Sequence, residues 1–240
     1  MKHKVKQWLF ILVFAKPVVS FAQNDTAGVF DNAIGLSISP FYSIPTHYYG
    51  FPDKGTIAGS AGFTDIFRIN KKRNIYLDAE LGYLNVAGIT SIPYTAYLIN
   101  SNGNYSKINS FDDVNRFHCA YLSVLLQKPI LKFPKGSILI ASLGGQINYC
   151  CLYTYSRRNL VDSTGNNIDY SMNYSGSSLS QKYSASLEAK VGFLKKISER
   201  YIFVISPVIY FGLNPYVVFT LNEDGFNCVG INFQLLRNFD

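Results

Sequence analysis

The chain lacks long apolar runs after its first 22 positions, and no later segment reaches the ~18 consecutive apolar residues of a transmembrane helix. No Cys precedes Cys119, which excludes a lipid-anchored Cys near the N-terminus. No Cys-x-x-Cys pair is present, so the sequence gives little support for a metal site. Charged residues are only 15% of 240, and the Lys and Arg are scattered rather than striped, which argues against nucleic acid as a partner.

Residues 1–22 have the three-part pattern of a secretory signal peptide. Three Lys precede an apolar stretch from Trp8 to Ala15, and Ser20-Phe21-Ala22 fits a small-x-small cleavage site. We predict cleavage after Ala22, which leaves residues 23–240 as one domain. Loss of the four Lys in this segment lowers the formal net charge from +7 to +3, so the basicity is mostly targeting sequence.

The clearest pattern in the rest of the chain is alternation in its last segment. Every second side chain is apolar at Val229, Ile231, Phe233 and Leu235, with Gly230, Asn232 and Gln234 between them, and Phe239 follows near the end. One face for lipid and one for a polar interior is the pattern of a transmembrane β-strand. We interpret Phe233, Leu235 and Phe239 as the assembly signal that barrel-assembly machinery recognises.

Eight such segments are present, and the connections between them alternate short and long. The segments cover about 33–42, 56–69, 75–86, 115–127, 137–151, 181–194, 200–213 and 226–239. The register of the second and seventh stays open, and the sixth also has apolar residues at helical spacing. Short turns fall at 70–74, 128–136 and 195–199, whereas long connections fall near 43–55, 87–114, 152–180 and 214–225.

This rhythm predicts an all-β fold, an eight-stranded antiparallel up-and-down transmembrane β-barrel in the bacterial outer membrane. In such barrels the short turns are periplasmic and the long loops extracellular. A secreted β-sandwich is the alternative, but its outer surface should be charged. Here charge is confined almost wholly to turns, loops and the small-residue faces of the strands.

The predicted inner faces carry charged side chains. They are Asp78, Glu80, Glu188 and Lys190, and the candidates to join them are Arg68, Arg116 and Arg200. An eight-stranded barrel has an interior just wide enough for side chains, and buried charges need partners. We therefore predict a lumen ionic network that excludes a wide pore; a gated ion or proton path is the alternative.

Three short motifs resemble a known family. They are Tyr121-Leu-Ser-Val-Leu-Leu-Gln-Lys128, Leu77-Asp-Ala-Glu-Leu-Gly-Tyr83 and Tyr210-Phe-Gly-Leu-Asn214. The first looks like a "YLxIPLLLK" strand and the last like a shortened "YxxGLxN" motif of the PorT-like outer-membrane β-barrel family of Bacteroidetes-type bacteria. The resemblance implies a small integral barrel over nearly all of residues 27–240. It implies no activity, although the link of a few members to protein secretion makes a secretion-accessory role an alternative.

Residues with catalytic or redox chemistry are few. His118 with Asp112 or Asp113, or else His47, would be the base of an outer-membrane hydrolase with a rim active site. No hydrolase signature surrounds them, so we predict no enzyme, no catalytic residue, no metal and no cofactor. Cys119 can pair with Cys150 if the register allows, and unpaired buried thiols are the equal alternative.

The 152–180 connection is rich in Ser, Asn, Tyr and Gly, which suits adaptable contacts. Its Arg157 and Arg158 suit lipopolysaccharide phosphates, while a merely solvated loop is the simpler interpretation. We expect an integral barrel with a structural or surface-interaction role. Its expected partners are outer-membrane lipid and lipopolysaccharide, and an extracellular or secretion partner is a further possibility.

Overall fold

The structure, a computed structural model, describes residues 30–47, 53–92, 96–99, 105–108, 111–134, 136–159, 169–175, 182–213, 216–218 and 222–239. The predicted signal peptide lies outside these residues. Within the described ranges, no helix has the length and apolar character needed to cross a membrane.

Twelve strands run through the described residues. They are β1 (Asn32–His47), β2 (Asp53–Asn70), β3 (Ile75–Ile92), β4 (Ala96–Ile99), β5 (Tyr105–Ile108), β6 (Phe111–Lys132), β7 (Ser137–Arg158), β8 (Tyr170–Ser175), β9 (Tyr183–Lys196), β10 (Tyr201–Gly212), β11 (Tyr216–Val218) and β12 (Asn222–Asn238). Strands β1, β2, β3, β6, β7, β9, β10 and β12 pair in that order, all antiparallel, and β12 pairs back with β1. The predicted eight-stranded antiparallel barrel is therefore confirmed.

The remaining strands lie beyond the barrel wall. Strand β8 pairs with β7, β11 pairs with β12, and β4 and β5 form a separate two-stranded sheet. All of them lie in the connections that the sequence predicts to be long. We call this end of the barrel the upper end. The opposite, lower end holds Phe30, Phe239 and the three short turns between β2 and β3, β6 and β7, and β9 and β10.

The register around the wall fixes the width of the barrel. A path of paired residues leaves β7 at Tyr149 and passes through β6, β3, β2, β1, β12, β10 and β9. It returns to β7 at Leu139, ten residues lower. A shear of ten over eight strands tilts the strands by roughly 40° and leaves an interior that side chains fill.

Apolar side chains form the outer surface of this wall, as the alternation predicts. On β7 they run from Leu139 to Tyr149, with Leu143 58% and Ile147 59% exposed. Eleven residues match the length of a tilted transmembrane strand. The exposed face is therefore mostly apolar, with Asp65 of β2 an exception, and the enclosed face carries buried polar and charged side chains as well as apolar ones.

Tyrosines mark the upper edge of the apolar band. Tyr83, Tyr149 and Tyr183 are outward and exposed on β3, β7 and β9, and the last two rings lie 5.2 Å apart. Aromatic side chains at this position are typical of the girdles where a barrel meets the membrane interface.

Several strands extend further at the upper end than predicted, among them β1, β3 and β12. Strands β6 and β7 are 22 residues each, whereas the sequence predicts 115–127 and 137–151. The segment with a helical alternative is a strand, β9, whose side chains alternate between buried and exposed. The turn predicted at 128–136 is shorter, because β6 continues to Lys132 before Gly136 adopts a φ of 78°, which glycine tolerates without strain.

Candidate functional site

The lumen has three layers, and the middle layer is ionic. Below it lies a lower apolar plug, whose buried members are Phe30, Ala33, Ile66, Tyr76, Ile138, Ile140, Leu194, Ile202, Val204 and Leu236. Above it lies an upper plug, whose buried members are Phe41, Leu84, Val86, Phe117, Cys119, Tyr121, Cys150, Tyr153, Val208, Tyr210, Phe226 and Cys228. The charged side chains therefore lie between two clusters of packed apolar groups, and polar side chains of β7 and β9 are buried beside the upper one: Gln146, Asn148, Ser184 and Ser186.

Lys190 is at the centre of the ionic layer. Its Nζ lies 2.8 Å from Glu188 Oε1 and 3.6 Å from Glu80 Oε2, and all three side chains are buried. Glu188 and Lys190 come from β9 and Glu80 from β3, on the opposite side of the wall. The ion pairs therefore cross the lumen and fill it.

Hydroxyl donors complete the contacts of these two glutamates. Ser37 donates to Glu80 at 2.6 Å, and the Tyr121 hydroxyl also donates to Glu80. Ser123 donates to Glu188 at 2.5 Å.

Asp78 is held by side chains from two other strands. Thr64 donates to it at 2.7 Å and the Gln234 amide donates at 3.4 Å. The structure thus brings together the four charged residues that the alternation places inside, and each carboxylate has a partner, as a buried charge requires.

The three arginines considered for this network lie elsewhere. Arg68 is at the lower end, where it pairs with Asp31 at 3.1 Å and lies over the Tyr76 ring. Arg116 points outward on β6, and Arg200 is exposed in the turn before β10. Arg116 is even-numbered on a strand whose odd-numbered residues face the lumen, so its exclusion follows from its parity.

Cys119 and Cys150 lie in the upper plug, directly opposite each other on β6 and β7. The register therefore allows the predicted pair, but both residues are thiols in the structure, and no disulfide joins them. Aromatic rings close the lumen around them, with Phe117 and Tyr153 5.0 Å apart and Phe117 and Phe226 5.6 Å apart. The cavity beside this plug is about 30 Å³, the space of a single water.

Above the girdle, β6 and β7 continue as a rigid extension. A 22-residue strand is about 70 Å long, roughly twice what a barrel needs to cross a membrane. Strand β3 remains paired with β6 as far as Ile92, and β8 covers the free edge of β7 from Leu152 to Arg157. We call these upper parts of β3, β6, β7 and β8 the extracellular extension, after the orientation that the sequence predicts for the long connections.

Arg157 organises the inner face of this extension. Its Nε and Nη2 donate to the two oxygens of Asp113 at 2.7 and 3.0 Å, and its guanidinium lies 4.1 Å from the centre of the Phe111 ring. The hydrogen bonds to Asp113 raise the pKa of Arg157. Burial, together with a hydrogen bond to Asp113, raises the pKa of Tyr155, so its hydroxyl stays a donor. No local pattern in the sequence indicates this cluster, because the two partners are 44 residues apart and meet only beyond a register shift next to Cys119.

The rim histidine lies away from both carboxylates that the sequence suggests as its partners. His118 faces outward, and its Nδ1 contacts the Tyr83 hydroxyl and the Asn85 amide. Asp113 faces the other side of β6, whereas Asp112 is six residues away, about 20 Å along the strand. The side chain of His47 lies outside the described part of the structure, and among the described residues no group of three or more His, Cys, Asp or Glu could hold a metal.

The residues of the predicted assembly signal lie on the outer face of β12. Leu235 is 50% exposed and Phe239 57%, and the Arg237 guanidinium lies 5.5 Å from the Phe239 ring centre. Their position suits recognition from the lipid side, and the recognition itself stays a prediction.

Comparisons with known proteins give similarity of fold only. No family model matches the sequence, and no curated protein matches it. Ail, the attachment invasion locus protein of Yersinia pestis, solved in complex with the heparin analogue sucrose octasulfate, is 9% identical over 85% of this chain and 99% of its own, with a TM-score of 0.34. The outer membrane protein OprG from Pseudomonas aeruginosa is 11% identical over 88% and 99%, with a TM-score of 0.39. No functional statement about this chain follows from them, and the PorT-like resemblance with its secretion role stays a prediction.

Proposed function

We propose that this chain is an integral outer-membrane β-barrel that conducts no solutes and whose role, structural or in surface interaction, depends on the extracellular extension. Among the described residues, 33 large apolar or aromatic side chains are exposed. Moving one such side chain out of water is worth about 1.5–3 kcal/mol, so a lipid environment strongly stabilises this surface. A closed barrel is also one of the two structures that satisfy all backbone groups in lipid.

The observation that carries the proposal is the closed lumen. The ionic layer lies between two apolar plugs, and packed side chains leave no wide channel through the described barrel. The function then depends on the surfaces that protrude from the membrane. The extracellular extension is the largest of these among the described strands, and its salt bridge and stacked rings hold it in one shape.

Two measurements test this proposal. Purified protein in planar bilayers should show no stable conductance, whereas a general porin run in parallel conducts. On intact cells, trypsin should cut at Arg158, which is exposed at the end of β7, and spare the lower turn with Lys71, Lys72 and Arg73, which becomes accessible only after the outer membrane is opened. Steady single-channel conductance, or cleavage of the lower turn on intact cells, would contradict the proposal.

A further inference from the structure

The outer face of the extracellular extension contains a basic cleft directly above the girdle. The cleft has a volume of about 500 Å³, within the range of small-ligand sites. Its described lining residues include Arg116, His118 and Arg158, the hydroxyls of Thr154, Ser156 and Ser171, and the carboxylate of Asp169. Cationic groups and hydroxyls together are typical of sites that hold phosphate oxygens.

Two cationic groups of this cleft form no ion pair with a described acid. Arg157, which also lines the cleft, is paired with Asp113, whereas no described carboxylate forms an ion pair with Arg116 or Arg158, and both side chains are exposed. Asp112, the register partner of Arg158, lies 3.8 Å from Lys54 and also contacts Ser91 and Asn159. Arg116 and Arg158 against the single carboxylate of Asp169 leave the cleft one positive charge, which an anionic ligand can balance.

The position of the cleft relative to the girdle indicates which ligand can reach it. His118 contacts the girdle residue Tyr83, and Arg116 is two residues further up β6, about 7 Å along the strand. Arg116 pairs in register with Thr154, and Arg158 lies four residues beyond Thr154, about 13 Å along β7. The cleft thus begins where the lipid headgroups begin, opens on the lipid-facing side of the wall, and is long enough for a sugar headgroup with more than one anionic substituent.

We propose that Arg116 and Arg158 bind the phosphorylated sugar headgroup of an outer-leaflet glycolipid, with the lower phosphate at Arg116 and His118. This site uses the membrane orientation of the proposed function and adds a ligand to it. Both contacts of the imidazole, with the Tyr83 hydroxyl and the Asn85 amide, are made by Nδ1, which leaves Nε2 for the ligand. Arginine suits phosphate because its planar fork donates two parallel hydrogen bonds.

The test is binding of lipid A to the full barrel in detergent micelles, measured by native mass spectrometry. Bisphosphorylated lipid A should bind wild-type protein at least about tenfold more tightly than fully dephosphorylated lipid A, since removal of the phosphates removes the charge-assisted hydrogen bonds to the two arginines. The double variant R116Q/R158Q should lose that discrimination. The control R200Q changes an exposed Arg at the other end of the barrel and should retain it.

Two further measurements distinguish a bound glycolipid from a bound free anion and from a lipid that is held by its acyl chains alone. Millimolar inorganic phosphate should not displace the lipid, because the acyl chains also pack on the apolar band; complete displacement would indicate a free-anion site and overturn the proposal. Equal binding of phosphorylated and dephosphorylated lipid A to the wild-type protein would also overturn the proposal. This comparison needs no variant, so it does not depend on whether R116Q/R158Q folds. Failure here leaves the conductance and trypsin results, and hence the proposed function, unaffected.

Discussion

Lys190 Nζ lies 2.8 Å from Glu188 Oε1, two residues away on the same strand, and both side chains face the middle of a closed lumen. Replacing Lys190 with Met leaves Asp78, Glu80 and Glu188 buried without a cation. Removal of one partner from a buried ion pair costs about 3–5 kcal/mol. We therefore expect a large loss in the free energy of unfolding, measured by urea titration in lipid and read from the shift of the folded band on an unboiled gel.

The double variant K190M/E188Q should recover part of this loss, because it removes one of the carboxylates left unpaired. K195M, which changes an exposed Lys at the lower end of the same strand, is the matched control. A K190M barrel as stable as K195M would show that the ionic layer does not hold the wall together.

Two adjacent glycines on β7 should respond differently to alanine. A Cβ added at Gly144 would lie 2.0 Å from the backbone oxygen of Val124, whereas one at Gly145 would lie 3.7 Å from the oxygen of Ser186, an ordinary contact. We expect G144A to lower the free energy of unfolding by at least about 1–3 kcal/mol through overpacking. G145A, on the outer face, should stay within about 0.5 kcal/mol of wild type. The same titration checks both, and equal effects would mean that the interior is not tightly packed at this level.

Arg157 should stabilise the extension without stabilising the barrel. In R157A, Asp113 is left mostly buried without its cation, which costs about 1–2 kcal/mol locally after allowing for partial exposure. Hydrogen exchange of the amides of 153–158 should become faster, while the barrel strands keep their protection. R158A removes a neighbouring Arg that lacks this contact and should leave the exchange unchanged. Faster exchange in both variants would show that the salt bridge of Arg157 is not what stabilises the extension.

Thiol labelling should separate one cysteine from the other three. Cys151 is exposed, whereas Cys119, Cys150 and Cys228 are buried in the upper plug. Under reducing conditions a maleimide should add once to the folded protein and four times after unfolding, counted by intact mass. C151S should not label when folded. Rapid addition of two or more labels to the folded protein would show that the upper plug is open.

Strict alternation made the barrel predictable, because lipid and a polar lumen act on opposite faces of every strand. Strands one, three and eight show this in Leu36, Leu81 and Leu235, which are outward as expected. The faces of strands two and seven were unclear for a physical reason that the structure supplies. On β10, Ile202 and Val204 point inward into the lower plug, so both faces are apolar there, whereas on β2 Ile66 points inward and the neighbouring Asp65 is exposed on the outer face.

The extracellular extension was less predictable, because it has no lipid on either side to enforce alternation. Its order comes from pairs such as Asp113 with Arg157 and Tyr153 with Tyr174, which depend on a register that shifts beside Cys119. No local pattern encodes that shift. The alternation of inward and outward positions predicts which charged residues lie in the lumen. It does not predict the apolar plugs above and below them.

The seam between β1 and β12 has a consequence for the order in which the chain folds. Asn232 on β12 donates to Ser39 on β1, 193 residues earlier, and Gln234 reaches Asp78 across the same seam. Contacts of such separation form slowly, because the loop-closure entropy is lost before the contacts are gained. Until β12 pairs with β1, the buried polar groups lack some of their partners and both edges of the sheet remain unpaired. We therefore expect closure of the seam between β1 and β12 to be a late step, and a chain stalled before it is the species most exposed to edge-to-edge aggregation and proteolysis.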